Sequence, residues 1–186
     1  MPYESLMVRR DARDVITVTL NRPEKRNALS ATMISELTQV ASEIDADATV
    51  RAVVLNGAGE TFCAGGDLSW MKEQVEADRA TRMSEARKLA GMLGALNTLR
   101  SPLIGAIHGS ALGGGAGLAA VCDVAVAETG TRFGFTETRL GLIPATIGPY
   151  VLARMGEGKA RRVFMSARVF DAGEAERLGL IARCVD

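Results

Sequence analysis

The chain is poor in the side chains from which most nucleophilic and metal-dependent sites are built. It holds one histidine in 186 residues. No Ser-His-Asp triad can be assembled without His108, and its neighbours Gly109 and Ser110 place it in a loop, so it is not read as a catalyst. The three cysteines, Cys63, Cys122 and Cys184, are far apart and odd in number. They show neither metal-ligand spacing nor a disulfide framework, which suits a reducing, cytoplasmic compartment and gives no bound metal. Net charge is also missing, since 22 basic residues balance 22 acidic ones. That balance argues against a general binder of nucleic acid or anionic membrane, although it leaves room for a local basic patch. No apolar run reaches the roughly 18 residues of a membrane span. The opening Met1-Pro2-Tyr3-Glu4-Ser5 lacks the charged-then-apolar pattern of a secretory leader. Internal repeats and low-complexity segments are absent as well.

What is present is a chain 47% hydrophobic, with a length that fits one core domain over 1–186. Val15 to Leu20 alternates and is rich in β-branched residues, which predicts a strand ended by Asn21-Arg22-Pro23. Ser30 is a candidate N-cap, followed by Met33, Ile34, Leu37, Val40, Ala41 and Ile44 at helical spacing. Ala52 to Leu55 is a short buried strand. The polar residues 72–82 are expected to form a mobile surface segment. Met83, Ala86, Ala90, Leu93 and Leu96 then mark a helix that stops before Ser101-Pro102. Leu103 to Ile107 and Asp123 to Ala127 read as strands on either side of a short helix over Leu118 to Cys122. Phe133-Gly134-Phe135 is a brief extended piece, and helices are expected over Glu157 to Met165 and Glu174 to Leu178. Strands alternating with helices predict an α/β fold with a mostly parallel sheet.

Two glycine runs carry the chemistry. Leu112-Gly113-Gly114-Gly115-Ala116-Gly117 opens the short helix, and Ala64-Gly65-Gly66-Asp67 follows the strand at 52–55. Glycine leaves backbone N–H groups bare to a close ligand, and a helix N-terminus adds unpaired donors and partial positive charge. Both runs follow the carboxyl ends of strands, where open α/β sheets place their ligands. Two such amides converging on one oxygen would stabilise a thioester carbonyl as it becomes an enolate. Taken singly, each run also reads as a tight turn or a close packing site.

Taken together, Phe62-Cys63-Ala64-Gly65-Gly66-Asp67-Leu68, Gly109-Ser110-Ala111-Leu112-Gly113-Gly114-Gly115, Cys122-Asp123 and Glu137-Thr138-Arg139-Leu140-Gly141-Leu142-Ile143-Pro144 resemble the crotonase superfamily. That is the enoyl-CoA hydratase/isomerase family, and order and spacing match along almost the whole chain. The resemblance implies a spiral of ββα units with helices packed on the sheets, assembled as a homotrimer or as a hexamer made of two trimers. It implies an acyl-CoA thioester as substrate, with coenzyme A part of that substrate and no separate cofactor. Matched to the family's motifs, the amides of Gly66 and Gly114 form the oxyanion hole and Gly113 lies beside them. Ala64, Gly65, Asp67 and Leu68 line the adenine and pantetheine path, and Arg22, Lys25 and Ala28 meet coenzyme A near its phosphates. A solvated turn after the strand accounts equally for Arg22 and Lys25.

Proton handling is where the chain departs from its family. Hydratases of the family hold water between two glutamates, one acting as base and one as acid. The first of those positions is Gly117 here, and the second is Glu137. Burial beside Phe133-Gly134-Phe135 would raise the Glu137 pKa toward working pH, whereas the bland alternative is a glutamate supporting a helix N-terminus. One carboxylate can hydrate a 2-enoyl thioester by taking a proton from water and delivering it to the α-carbon. It can also isomerise a 3-enoyl thioester. A non-catalytic acyl-CoA-binding subunit is the third reading. The stretches Gly117 to Ala127 and Arg139 to Ile147 resemble a bacterial subgroup associated with methylglutaconyl-CoA and related branched, carboxylated enoyl-CoA hydratases of leucine and acyclic terpene breakdown. Arg139 is then either a partner for a distal carboxylate or a member of a surface salt bridge. Relatives usually continue for several helices beyond Asp186, so the C-terminal helical part is expected to be absent here.

Overall fold

The computed structural model describes residues 3–186; residues 1–2, the start of the segment read above for a leader, lie outside it. Strand β1 (Leu6–Arg10) pairs antiparallel with β2 (Val15–Leu20), Leu6 opposite Leu20. Ile16, Val18 and Leu20 of β2 point into the core, as strict alternation requires. From β2 onward the sheet is parallel, through β3 (Ala52–Gly57), β4 (Leu103–Ile107), β6 (Val124–Glu128) and β9 (Arg183–Val185). The spatial order is β1-β2-β3-β4-β6-β9. A second sheet holds β5 (Ser110–Leu112), β7 (Arg132–Gly134) and β8 (Val169–Asp171), with β5 parallel to β7 and β8 antiparallel to it.

The chain visits the two sheets in turn. β4 leads through β5 into helix α4 (Gly114–Val121), and β6 leads through β7 toward α5 (Gly148–Met155). Each step is two strands and a helix, which is the spiral of ββα units the resemblance implied. An isolated bridge from Cys63 to Ala111 ties the glycine loop after β3 to this second layer, and another joins Gly66 to Leu29 ahead of the first long helix.

Helix α1 (Ala31–Ala46) starts at Ser30, whose Oγ accepts the Met33 N–H at 3.2 Å. All six residues expected on its apolar face are buried, and the five larger than alanine each contribute about 1.5–3 kcal/mol relative to exposure. Residues 72–82, expected to be a mobile surface segment, are mostly helical. They fall in α2 (Leu68–Glu76) and the first turn of α3 (Arg79–Asn97). Neither stretch shows an apolar period, because α2 buries no side chain and α3 buries only Met92, Leu93 and Leu96. Capping starts these helices instead: Asp67 accepts the Ser69 N–H and Asp78 accepts the Thr81 N–H. Met83, Ala86 and Ala90, read as core positions of α3, are exposed.

Two further boundaries move. The helix expected from Leu118 begins at Gly114. Asp123 precedes β6 rather than opening it; its Oδ2 accepts the Leu103 N–H at 2.8 Å and fastens the start of β4. Helices α6 (Glu157–Ser166) and α7 (Ala172–Leu178) fall where expected. The far end of α4 is gripped by Arg154 of α5, whose guanidinium donates to the carbonyls of Ala120, Cys122 and Asp123. The three cysteines are free thiols, and burial pushes Cys63 and Cys122 up to about 12.

Candidate active site

The two glycine turns are sewn to each other and to Leu29. The Leu29 N–H donates to the Gly65 carbonyl at 2.8 Å, and the Asp67 N–H donates to the Leu29 carbonyl at 2.9 Å. Among the described residues the intervening Gly66 N–H meets no protein acceptor. The second turn is held by the Leu112 N–H on the Cys63 carbonyl (3.0 Å) and the Gly113 N–H on the Gly134 carbonyl (2.8 Å). Gly114 is the first residue of α4, so its N–H has no acceptor within the helix and lies at the positive end of the helix dipole.

Contact between the turns is backbone on backbone. Gly65 has φ +102°, and a Cβ there would lie 3.0 Å from the Leu112 carbonyl oxygen and 3.8 Å from the Gly114 nitrogen. A side chain at 65 would therefore both strain the chain and block the approach to the Gly114 amide.

Glu137 opens a 3-10 turn running to Leu140. Its Oε1 lies against Gly113, 3.3 Å from where a Cβ would sit. Its Oε2 is buried without a partner among the described residues. Burial pushes the Glu137 pKa above the ordinary carboxylate range, opposed in part by its own backbone N–H. An unpaired carboxyl beside two unspent amides is costly to keep in a folded chain unless a ligand completes it. Gly66, Gly114 and Glu137 line one cavity of about 250 Å³, together with Ala64, Gly65 and Gly113. Among its lining residues Glu137 is the only titratable one.

Leu68 also borders this cavity and is 79% exposed. On one side the cavity adjoins a groove where Lys25 and Ala28 meet Ala64, Gly66 and Asp67. On the other it opens into an apolar trench of about 580 Å³ between α2, α3 and the loop after Glu137, bordered by Trp70, Val75, Leu89, Leu140 and Leu142.

Three residues proposed from sequence lie off these walls. Arg22 is a clamp: its Nη1 donates to Asp67 Oδ2 at 3.0 Å and to the Ala28 carbonyl at 2.9 Å. Burial works against ionising Asp67, but Arg22 and the N–H groups of Ser69 and Trp70 outweigh it and hold the carboxyl below its usual range. Arg22 is thus occupied in fixing the residue that follows Gly66. Arg139 is exposed and does not border the cavity, because the 3-10 turn that aims Glu137 inward carries residue 139 outward. Gly117 is buried inside α4, with Ile147 packed where its side chain would be.

Sequence reasoning missed Asn27, fully buried, whose side chain accepts the Arg22 N–H and donates to the carbonyls of Ala58 and Thr61. An Asn between a polar turn and an apolar helix was its only signal. Also missed were the cavity walls Leu29, Trp70, Met71, Ile143 and Ile147, which in sequence resemble any other apolar residue.

A parallel sheet carrying two unspent glycine amides and a buried acid over one apolar cavity is the framework of an acyl-transfer or enolate-forming enzyme. The profile of the enoyl-CoA hydratase/isomerase family matches residues 10–186. A Mycobacterium tuberculosis relative named "Probable enoyl-CoA hydratase echA8" is 39% identical over 186 residues, covering 100% of this chain and 70% of the relative. The "Short-chain-enoyl-CoA hydratase" of Clostridium acetobutylicum is 40% identical over 179 residues, covering 92% of this chain and 66% of its own. Among solved structures, an enoyl-CoA hydratase from Shewanella pealeana superposes with TM-score 0.96 at 35% identity, covering 99% of this chain and 69% of the other. Pseudomonas aeruginosa AtuE gives TM-score 0.94 at 41% identity, covering 98% and 70%. The chain belongs to the enoyl-CoA hydratase/isomerase family, the crotonase superfamily, and its activity is of that family's kind.

Proposed function

We propose that the cavity hydrates a 2-enoyl thioester of coenzyme A, with Glu137 as the only proton carrier. The observation that carries this reading is the buried, unpartnered Oε2 of Glu137 in the same cavity as the open amides of Gly66 and Gly114. Ionised Glu137 takes a proton from water as the water oxygen bonds to the β-carbon. The electron pair of the double bond moves into the thioester, and the resulting enolate oxygen is held by the two amide donors. Each such donor contributes about 3–4 kcal/mol at the transition state. Glu137 then returns its proton to the α-carbon and is ionised again. The sum is one water added across the double bond, with coenzyme A carried as part of the substrate and no further cofactor called for.

Lys25 and Ala28, in the groove beside Gly66, lie where the coenzyme moiety of the substrate would leave the cavity. The apolar trench beyond Leu68 suits the acyl chain. A branched, carboxylated acyl group finds no cation on the cavity wall; Lys72 and Arg82, on the trench rim, are the cations within its reach. The family's trimeric or hexameric assembly and a cytoplasmic setting belong to the same reading, and sedimentation checks the first.

Isomerisation of a 3-enoyl thioester is the second reading, favoured by the lack of another titratable lining residue to hold water. Offering 2-enoyl-CoA and 3-enoyl-CoA in parallel separates the two. Loss of the conjugated-thioester absorbance from the first is hydration, and its appearance from the second is isomerisation. Glu137→Ala is expected to abolish turnover, by about 100-fold or more, while retaining coenzyme A binding. Undiminished turnover in that variant removes Glu137 from the mechanism; wild type binding acyl-CoA without turnover is the result for a non-catalytic subunit.

A further inference from the structure

The wall of the cavity along α4 is supplied by a side chain that reaches in from another element. Gly117 is buried in α4, and a Cβ built on it would lie 2.4 Å from Ile147 Cγ2 and 2.9 Å from Ile147 Cβ. No Cβ tolerates that approach, so an isoleucine held at 147 requires glycine at 117.

Ile147 is itself fixed. It is 2% exposed and stands immediately before α5, its carbonyl accepting the N–H groups of Tyr150 and Val151 at 3.1 Å. The turn ahead of it is closed by the Gly148 N–H on the Pro144 carbonyl at 2.7 Å. The backbone therefore cannot swing the side chain aside without undoing the first turn of α5. Ile147 borders the same cavity as Gly114 and Glu137. In a space of about 250 Å³ only a few carbons of an acyl chain fit, and those are the carbons nearest the thioester.

We infer that Ile147, seated over Gly117, determines which acyl groups the site accepts, by setting how much alkyl substitution fits on the carbons next to the thioester. This rests on the acyl-CoA reading of the cavity. Two side chains compete for one volume: whatever residue 147 gives up becomes room for ligand. One methylene in an apolar pocket discriminates by about 10-fold or more.

The test measures binding, so that it stands apart from turnover. Wild type, Ile147→Val, Ile147→Ala, Gly117→Ala and the double variant Gly117→Ala/Ile147→Gly are titrated calorimetrically with butyryl-CoA and with 3-methylbutyryl-CoA. Ile147→Ala is expected to shift the ratio of the two dissociation constants about tenfold toward the branched thioester. Ile147→Val, which removes one methylene and keeps the fold, shifts it less in the same direction. Gly117→Ala is expected to weaken both thioesters, and the double variant, which clears both close contacts, to recover binding. An unchanged ratio in Ile147→Val and Ile147→Ala overturns the inference. So does a Gly117→Ala chain that binds like wild type, or a double variant that binds no better than Gly117→Ala. If wild type binds both thioesters but hydrates neither enoyl counterpart, the proposed reaction fails while the assignment of Ile147 is still decided by the ratios.

Discussion

At the scale of single residues, Glu137 links folding to chemistry. Its folded pKa is raised by burial, so the protonated form is the one the fold favours. The stability it contributes is fully present below the unfolded glutamate value of about 4.3 and is lost as pH rises through the higher folded value. Glu137→Gln removes that penalty. Denaturant melts from acid to neutral pH are therefore expected to show the variant matching wild type in acid and exceeding it at neutrality. A wild type that stays level with the variant up to neutral pH contradicts the buried, unpaired carboxyl. The rate should follow the same group in the opposite sense: hydration needs the ionised form, so its acid limb lies above the ordinary glutamate range. No other titratable residue lines the cavity, which leaves that limb a single ionisation.

At the scale of elements, α2 shows how a site part can depend on one cap. The helix buries none of its side chains, so it is held by Asp67 at its N-terminus, by the Arg22–Asp67 pair and by the Trp70 Nε1–Glu85 hydrogen bond to α3 (3.1 Å). Asp67→Ala removes the cap and leaves Arg22 without its carboxylate, a loss of about 1–3 kcal/mol. In a chain of this length that lowers Tm by about 2–4 °C per kcal/mol. Asp67→Asn, which keeps an acceptor for the Ser69 N–H, should lose less. Thermal melts decide between them, and equal losses would assign the effect to charge alone. The same helix shows why sequence reading stopped short. Buried faces such as those of α1 and β2 repeat at a legible period, and the glycine turns announce themselves because only glycine permits their close approach. A helix that meets the core through one partly buried tryptophan, Trp70, leaves no period to read. The partnership of Ile147 with Gly117 joins positions on different elements, which no local pattern records, and Arg22 looks equally suited to a phosphate until Asp67 is seen beside it.

At the scale of the whole molecule, a cluster of exposed apolar side chains borders the cavity and its trench. Leu68, Val75, Leu140, Leu142 and Ile143 are each between 45% and 79% exposed, and the first four of them border the trench. Contiguous apolar surface of this kind marks a binding site rather than scatter. An environment-sensitive apolar dye is expected to bind there with enhanced fluorescence and to be displaced by a long-chain acyl-CoA but not by coenzyme A alone. Displacement by coenzyme A alone would place the dye, and with it the acyl path, elsewhere. Arg154 holds three carbonyls at the back of α4, and α4 presents the Gly114 amide at its front. Anchored at the rear by a cation, that eight-residue rod is held against rocking and fraying, which in the proposed reaction keeps the Gly114 amide aimed as negative charge builds up before it. On that reading little reorientation energy is lost at each turnover, and a disturbance at Arg154, some two helical turns behind the Gly114 amide, would be felt as a loosened aim.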